Sequence, residues 1–254
     1  AVWRNKAEDP RGSDTRSFGY TNYDHLHADI LKWMEAGWLD YILPQLYFNI
    51  GYPAADFKIL AQWWREYSAG TPVYGGLGTY KLDKNSKVEA WRSAEEIRRQ
   101  AEMLRDIPEY HGVCYFSAKD MKRNTLGINK VLTELYPAPS ITPALRGFET
   151  TPPAPPSKAS ILSKQGKLHL AWSGDPIPEG DADISEINSE RAYYYLIYKF
   201  NKGVTPDFNQ SEAIVALTGE TSLEIAQNGD YDYYISALDR LFNESKAVKF
   251  SKSN

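Results

Sequence analysis

The chain is poor in the residues that build metal centres and cross-links: one cysteine, Cys114, and four histidines in 254 residues. A single thiol excludes a disulfide framework and a cysteine-built zinc site. Inside the apolar run 112–117, Cys114 is expected to be a small buried hydrophobe. His25, His27, His111 and His169 have no ligand spacing with one another or with carboxylates, so no metal is expected. No apolar stretch is long enough to span a membrane, and no signal segment is visible. Charge of one sign is also missing. The net charge is −4, with 19 basic and 19 acidic side chains in residues 1–150 and 10 and 14 in the rest, a balance that argues against a nucleic-acid surface. No Gly-x-Gly-x-x-Gly follows a predicted strand, and Gly75, Gly76 and Gly78 lie within one, so no phosphate or dinucleotide cofactor is expected.

What is present is alternation of strand and helix. Trp3-Arg4-Asn5 reads as the end of a strand whose beginning is missing. Asn22 then caps a helix presenting Leu26, Ile30, Trp33 and Met34, which stops at Gly37. Residues 38–48 form a nearly unbroken apolar run of the kind found in parallel strands covered on both faces. A helix opening near Pro53 carries Phe57, Leu60, Ala61, Trp64 and Tyr67, and a third strand follows over 72–80. Ser93 and Glu96 form a capping box for a helix with Ile97, Ala101 and Leu104; residues 112–117 are the fourth strand, and Asn124 caps a last helix. Four such units predict an α/β domain over 1–150, doubly wound or part of a (βα)8 barrel, and the barrel is preferred.

From residue 137 a proline-rich connector begins, with seven prolines between Pro137 and Pro156. Its middle, Ile141 to Phe148, is apolar enough to dock on the first domain. Beyond Ser157 the period changes to two, and short strands at 167–172, 192–198, 213–217, 222–225, 230–237 and 247–250 predict an all-β sandwich over 151–254. Trp172 and the run Tyr233-x-Ile235-x-Ala237-x-Asp239 resemble the core tryptophan and strand signature of a fibronectin type III domain. That likeness speaks to fold and hardly to function.

The first domain carries more telling motifs. Trp3-Arg4-Asn5 with Asp9-Pro10-x-Gly12-Ser13, Tyr23-Asp24-x-Leu26-x-Ala28-Asp29, Gly37-Trp38-Leu39-Asp40-Tyr41-Ile42-x-Pro44-Gln45-Leu46-Tyr47-Phe48 and Trp63-Trp64 resemble the later half of the bacterial glycosyl hydrolase-like family 10 catalytic domain. Gly112-Val113-x-Tyr115-Phe116-Ser117 fits that family's last barrel strand. The resemblance implies the second half of a TIM (βα)8 barrel acting on a glycan, often in cell-envelope lipoproteins, periplasmic or lipid-anchored, with some members cutting peptide-free peptidoglycan strands. It also implies a gap, because the first four strands and their acidic stretch have no counterpart.

Strand C-termini build the active face of a barrel, which nominates Trp3, Arg4, Asn5, Gln45, Tyr47, Tyr80 and Ser117 for substrate binding. Arginine and amide forks suit hydroxyls and acetamido groups, and aromatic rings suit sugar faces. Glycosidases need two carboxyls flanking the scissile bond. Only Asp83 and Asp120 stand near the right strand ends, and each fits a loop or cap equally well. Two readings follow: part of a glycoside hydrolase whose catalytic acids lie upstream, or a non-catalytic carbohydrate-binding or scaffold module. Either way, the open face of four strands, with Ile42 and Leu46 or their neighbours uncovered, is expected to be closed by the upstream half of the same polypeptide or by a second copy.

Overall fold

The computed structural model describes residues 2–16, 19–143, 151–164, 167–174, 191–226 and 230–252. They divide into two compact units, Ala1–Tyr136 and Pro137–Asn254, so the division falls where the proline-rich connector begins.

In the first unit the segment expected as one helix over 22–34 is two. Helix α1 (Asn22–Leu26) is capped by Thr21, whose side chain accepts from the Asp24 N–H, and His27 ends it in the left-handed region at φ 52°. Asp29 then caps α2 (Ile30–Glu35). The packed face differs accordingly: Leu31 and Met34 are buried, and Leu26 is exposed. The threonine and aspartate break the helix because their side chains offer the backbone N–H groups local partners. Helix α3 (Phe57–Glu66) is capped by Asp56 and not opened by Pro53. Glu96 does not close a capping box either. It lies in the first turn of α4 (Glu95–Arg105) and points inward.

Two regular strands form the centre of this unit, β1 (Val73–Leu77) and β2 (Tyr110–Tyr115), paired in parallel. The apolar run 42–46 lies along the free side of β1, also in parallel. The Ile42 and Leu46 N–H groups donate to Pro72 O and Gly76 O, and the Tyr74 and Gly76 N–H groups donate to Ile42 O and Pro44 O, each at 2.9 Å. Pro44 has no N–H to give, which limits this run to isolated bridges. Residues 2–5 satisfy their backbone differently. Ser13 N–H donates to Arg4 O, Asn22 N–H to Val2 O and Tyr23 N–H to Trp3 O, so the segment is held by its own loop and by α1. The unit is therefore a mixed α/β structure with three neighbouring parallel segments, and no closed barrel forms among the described residues.

Strand periodicity divides these segments into two faces. Ile42, Leu46, Val73, Leu77, Tyr110, Val113 and Tyr115 turn toward α3, α4 and α6 (Ile128–Leu135) and join the core built on Trp3, Phe57, Trp64, Ile97, Leu104 and Ile128, while the short α5 (Ala118–Arg123) links β2 to α6. The alternate residues Tyr41, Leu43, Gln45, Cys114 and Phe116 are exposed. One expectation is corrected here and another is narrowed. Cys114 is not buried, because only one face of β2 is packed. Of the two alternatives for the open face, Ile42 and Leu46 are buried at 7% and 0% exposure, and it is their neighbours one position away that are uncovered.

Among its described residues the second unit holds two four-stranded sheets, ordered β10-β3-β4-β7 and β6-β5-β8-β9. The strands are β3 (Ser157–Lys164), β4 (Lys167–Ser173), β5 (Tyr194–Asn201), β6 (Ile214–Thr218), β7 (Ser222–Ile225), β8 (Tyr231–Leu238), β9 (Val248–Lys249) and β10 (Ser251–Lys252). Leu170 and Trp172 from one sheet and Tyr195, Ile197, Tyr233 and Ile235 from the other share one core. Ile141 packs on the outer face of the second sheet, with Leu196, Tyr198 and Phe200, and so belongs to this unit. Residues 144–150 of the expected docking stretch lie outside the described residues.

Candidate functional site

The nominated residues fall into two neighbourhoods. The first surrounds Arg4. Its Nε donates to Asp24 Oδ1 at 2.9 Å, its Nη1 reaches Asp9 Oδ2 at 3.5 Å, and its guanidinium lies 4.8 Å from the Tyr23 ring centre. Asn5 is equally engaged: Nδ2 donates to Thr15 O at 2.6 Å and Oδ1 accepts from the Ala7 N–H at 3.1 Å. The Arg11 backbone N–H, foremost, and its guanidinium hold the Asp9 carboxyl below the ordinary range. Gly12 is required by this loop, since a Cβ there would sit 2.3 Å from the Asn5 carbonyl carbon. A cleft of about 710 Å³ opens beside it, lined by Asn5, Glu8, Thr15, Thr21, Asp24 and His25 among others. Thr21 Oγ1 donates to Asp24 Oδ2 at 3.0 Å. Trp3 is wholly buried, stacked on Trp63 at 6.0 Å with Tyr23 edge-on at 5.4 Å, so its ring has no face left for a sugar.

The second neighbourhood lies at the C-terminal ends of the three parallel segments. Tyr47 follows the run 42–46, Tyr80 stands in the turn after β1, and Phe116 directly follows β2. Their rings meet: Tyr47 and Phe116 are near-parallel at 5.8 Å, and Tyr80 stands roughly perpendicular to both, 5.6 Å from Tyr47 and 5.9 Å from Phe116. The Tyr80 N–H donates to Phe116 O at 3.2 Å, which fixes the turn against the strand end. Burial, foremost, raises the hydroxyls of Tyr47 and Tyr80 above the ordinary tyrosine value, so both remain protonated donors at neutral pH. Gln45 bridges Gly76 one register step below, and Cys114 opposes Gly76 from the other side. Lys81, next to Tyr80, extends between the rings of Phe48 and Trp91 at 5.6 Å each, and burial lowers its pKa.

Ser117 sits at the N-cap position of α5, and the peptide bond before it is cis. Asp120 accepts from the Ser117 N–H at 3.2 Å and from Thr79 Oγ1 at 3.3 Å; Asp83 accepts from the Asn85 N–H at 2.9 Å in an exposed turn. The two carboxylates thus serve a helix cap and a loop. No group of three or more potential metal ligands occurs among the described residues.

Phe116 is the residue that sequence reasoning missed. The signal was there. In Gly112-Val113-Cys114-Tyr115-Phe116 a period of two separates 113 and 115 from 112, 114 and 116, and only the first pair packs on helices.

Comparison with known proteins bears on what such a face is for. Residues 2–93 match the family described as glycosyl hydrolase-like 10. The chain is 34% identical over 258 residues to the glycosyl hydrolase YngK of Bacillus subtilis (strain 168), covering 98% of this chain and 48% of that protein. It is 39% identical over 121 residues to the glycosyl hydrolase DigH of Escherichia coli (strain K12), covering 45% of this chain and 27% of that one. The chain thus spans half or less of the length of these curated relatives. Among solved structures, the M60 catalytic domain of Clostridium perfringens ZmpC, in complex with the sialyl T antigen, covers 82% of this chain and 38% of its own at 12% identity. Its TM-score of 0.26 is too low to inform the fold.

Proposed function

We propose that this chain is part of a bacterial cell-envelope glycoside hydrolase that acts on a polysaccharide, with peptide-free peptidoglycan strands as the substrate to test first. One observation supports this reading above the others: a bare face at parallel strand ends, carrying rings, phenols and an amide, in a chain whose relatives are named glycosyl hydrolases. The first unit is read as the second half of a (βα)8 barrel. The second is read as a fibronectin type III-like spacer or glycan-presenting accessory, since its strongest motifs, Trp172 and Tyr233, are buried in its core.

Asp83 and Asp120 are engaged as turn and cap, so the acid pair that glycosidic cleavage requires is assigned to further βα units of the same polypeptide. The same engagement favours a second reading, a non-catalytic carbohydrate-binding module. Hydrolysis of peptide-free peptidoglycan strands separates the two, measured for residues 1–254 alone and for the longest natural polypeptide containing them. Turnover by the longer form only is expected. Equal turnover by residues 1–254 that is lost in Asp83→Asn or Asp120→Asn moves the chemistry into this chain. Binding without turnover in both forms supports the binding module.

A further inference from the structure

Phe116 has no part in the core, yet its position is closely defined. It is 55% exposed, and Tyr80 beside it is 49% exposed, at the ends of two adjacent strands. Single exposed apolar residues are ordinary on protein surfaces, but three rings in mutual contact form a patch. Room for them is built into the backbone. A Cβ on Gly78 would stand 3.2 Å from the Tyr80 ring and 3.3 Å from Tyr47, so the two tyrosines lie directly against the strand end. Rings held this way lose little side-chain freedom on contact with a ligand.

We infer that Phe116, with Tyr47 and Tyr80, forms the stacking platform of a sugar subsite, receiving the C–H face of one neutral pyranose unit of a glycan. The inference rests on the glycoside hydrolase reading above and adds to it the residue that sets where the sugar ring lies. A pyranose offers an apolar face rimmed by hydroxyls, which matches flat rings whose borders carry two phenols and, on the same sheet face, the Gln45 amide. Phe116 contributes area without a polar group, so its effect belongs in binding, not in the chemical step.

The experiment uses the intact natural polypeptide. Two β-1,4-linked tetramers, one of N-acetylglucosamine and one of glucose, are titrated calorimetrically into wild type, Phe116→Ala and Phe116→Trp. Where hydrolysis is seen, KM and kcat are recorded. Loss of the ring is expected to weaken binding about three- to tenfold, as a rise in Kd or KM with kcat nearly unchanged, and Phe116→Trp to restore it. Because Phe116 is half exposed, melting temperatures are expected to stay equal, and Tyr194→Ala in the second unit, expected to bind like wild type, controls for surface changes. A protein that binds a tetramer equally well with and without the ring overturns this inference and leaves the glycoside hydrolase reading intact. Parallel losses of binding and melting temperature that Phe116→Trp fails to rescue also overturn it, because they show a packing role. A wild type that neither binds nor cleaves any glycan overturns both.

Discussion

Glu96 shows how one side chain can define the surroundings of a site without touching it. Its exposure is 1%, and it accepts from the Ile50 N–H at 2.7 Å, from Gln100 Nε2 at 2.8 Å and from Arg99 Nη2 at 2.6 Å. It therefore ties the loop that follows Tyr47 and Phe48 to α4. Glu96→Ala leaves the Ile50 N–H without its partner, at an expected cost of about 1–3 kcal/mol in urea unfolding, whereas Glu96→Gln keeps an acceptor there and costs less. Equal losses in both variants would show that charge, not the acceptor, is what matters. Tyr110 supplies a pH dependence. Its hydroxyl donates to Ala61 O at 3.1 Å, and burial raises its pKa well above the ordinary value near 10. The folded state favours the protonated phenol. That stability is fully present below pH about 10 and drains away as pH rises from there toward the folded pKa. Unfolding free energies between pH 8 and 11 are expected to fall on the alkaline side, and to fall less steeply in Tyr110→Phe.

Elements were legible in the sequence where one force set them. The alternation of apolar strands with helices gave the three parallel segments, and the period of two gave six strands of the second unit, because burial of one face dictates both patterns. Local competition was harder to see. Thr21 and Asp29 divide what periodicity joins, and Pro44 withholds the N–H that would have made 42–46 a regular strand. Strand β3, Ser-Lys-Ala-Ser-Ile-Leu-Ser-Lys, is too polar to announce itself. Of the candidate site, the position of Tyr47 and Tyr80 at strand ends was legible, whereas the engagement of Arg4 and Asn5 with their own loop was not, since all but one of their side-chain partners, the Ala7 N–H, lie five to twenty residues away. The turn after β8 is testable at this scale. Asp239 is wholly buried and accepts from the Leu241 and Asn243 N–H groups at 2.8 Å and from Asn243 Nδ2 at 2.7 Å, holding Phe242 at φ 63°, a conformation costly for an aromatic residue. Asp239→Ala is expected to destabilise the second unit by about 2 kcal/mol or more. Hydrogen exchange that quickens first in β8 and β9 would locate the damage, while unchanged protection there would show that the turn holds without the carboxylate.

At the scale of the whole molecule, the bare sheet face of the first unit sets the sharpest expectation, and the chain carries its own probe of it. Cys114 is the only cysteine in the sequence, it is exposed, and it lies on that face opposite Gly76, two residues before Phe116. Tyr41, Leu43, Tyr80 and Phe116 share the exposure, an apolar face of a kind that proteins ordinarily cover. The assignment of further βα units to the same polypeptide predicts that those units close over it and enclose the thiol. Reaction with a thiol reagent such as dithionitrobenzoate is therefore expected to be fast in residues 1–254 and slowed at least tenfold in the longest natural polypeptide, at every protein concentration. Protection of residues 1–254 that grows with concentration would instead mean that a second copy covers the face. A thiol that reacts equally fast in both forms, at all concentrations, would show that the face stays open to water, and the half-barrel reading would fall with it.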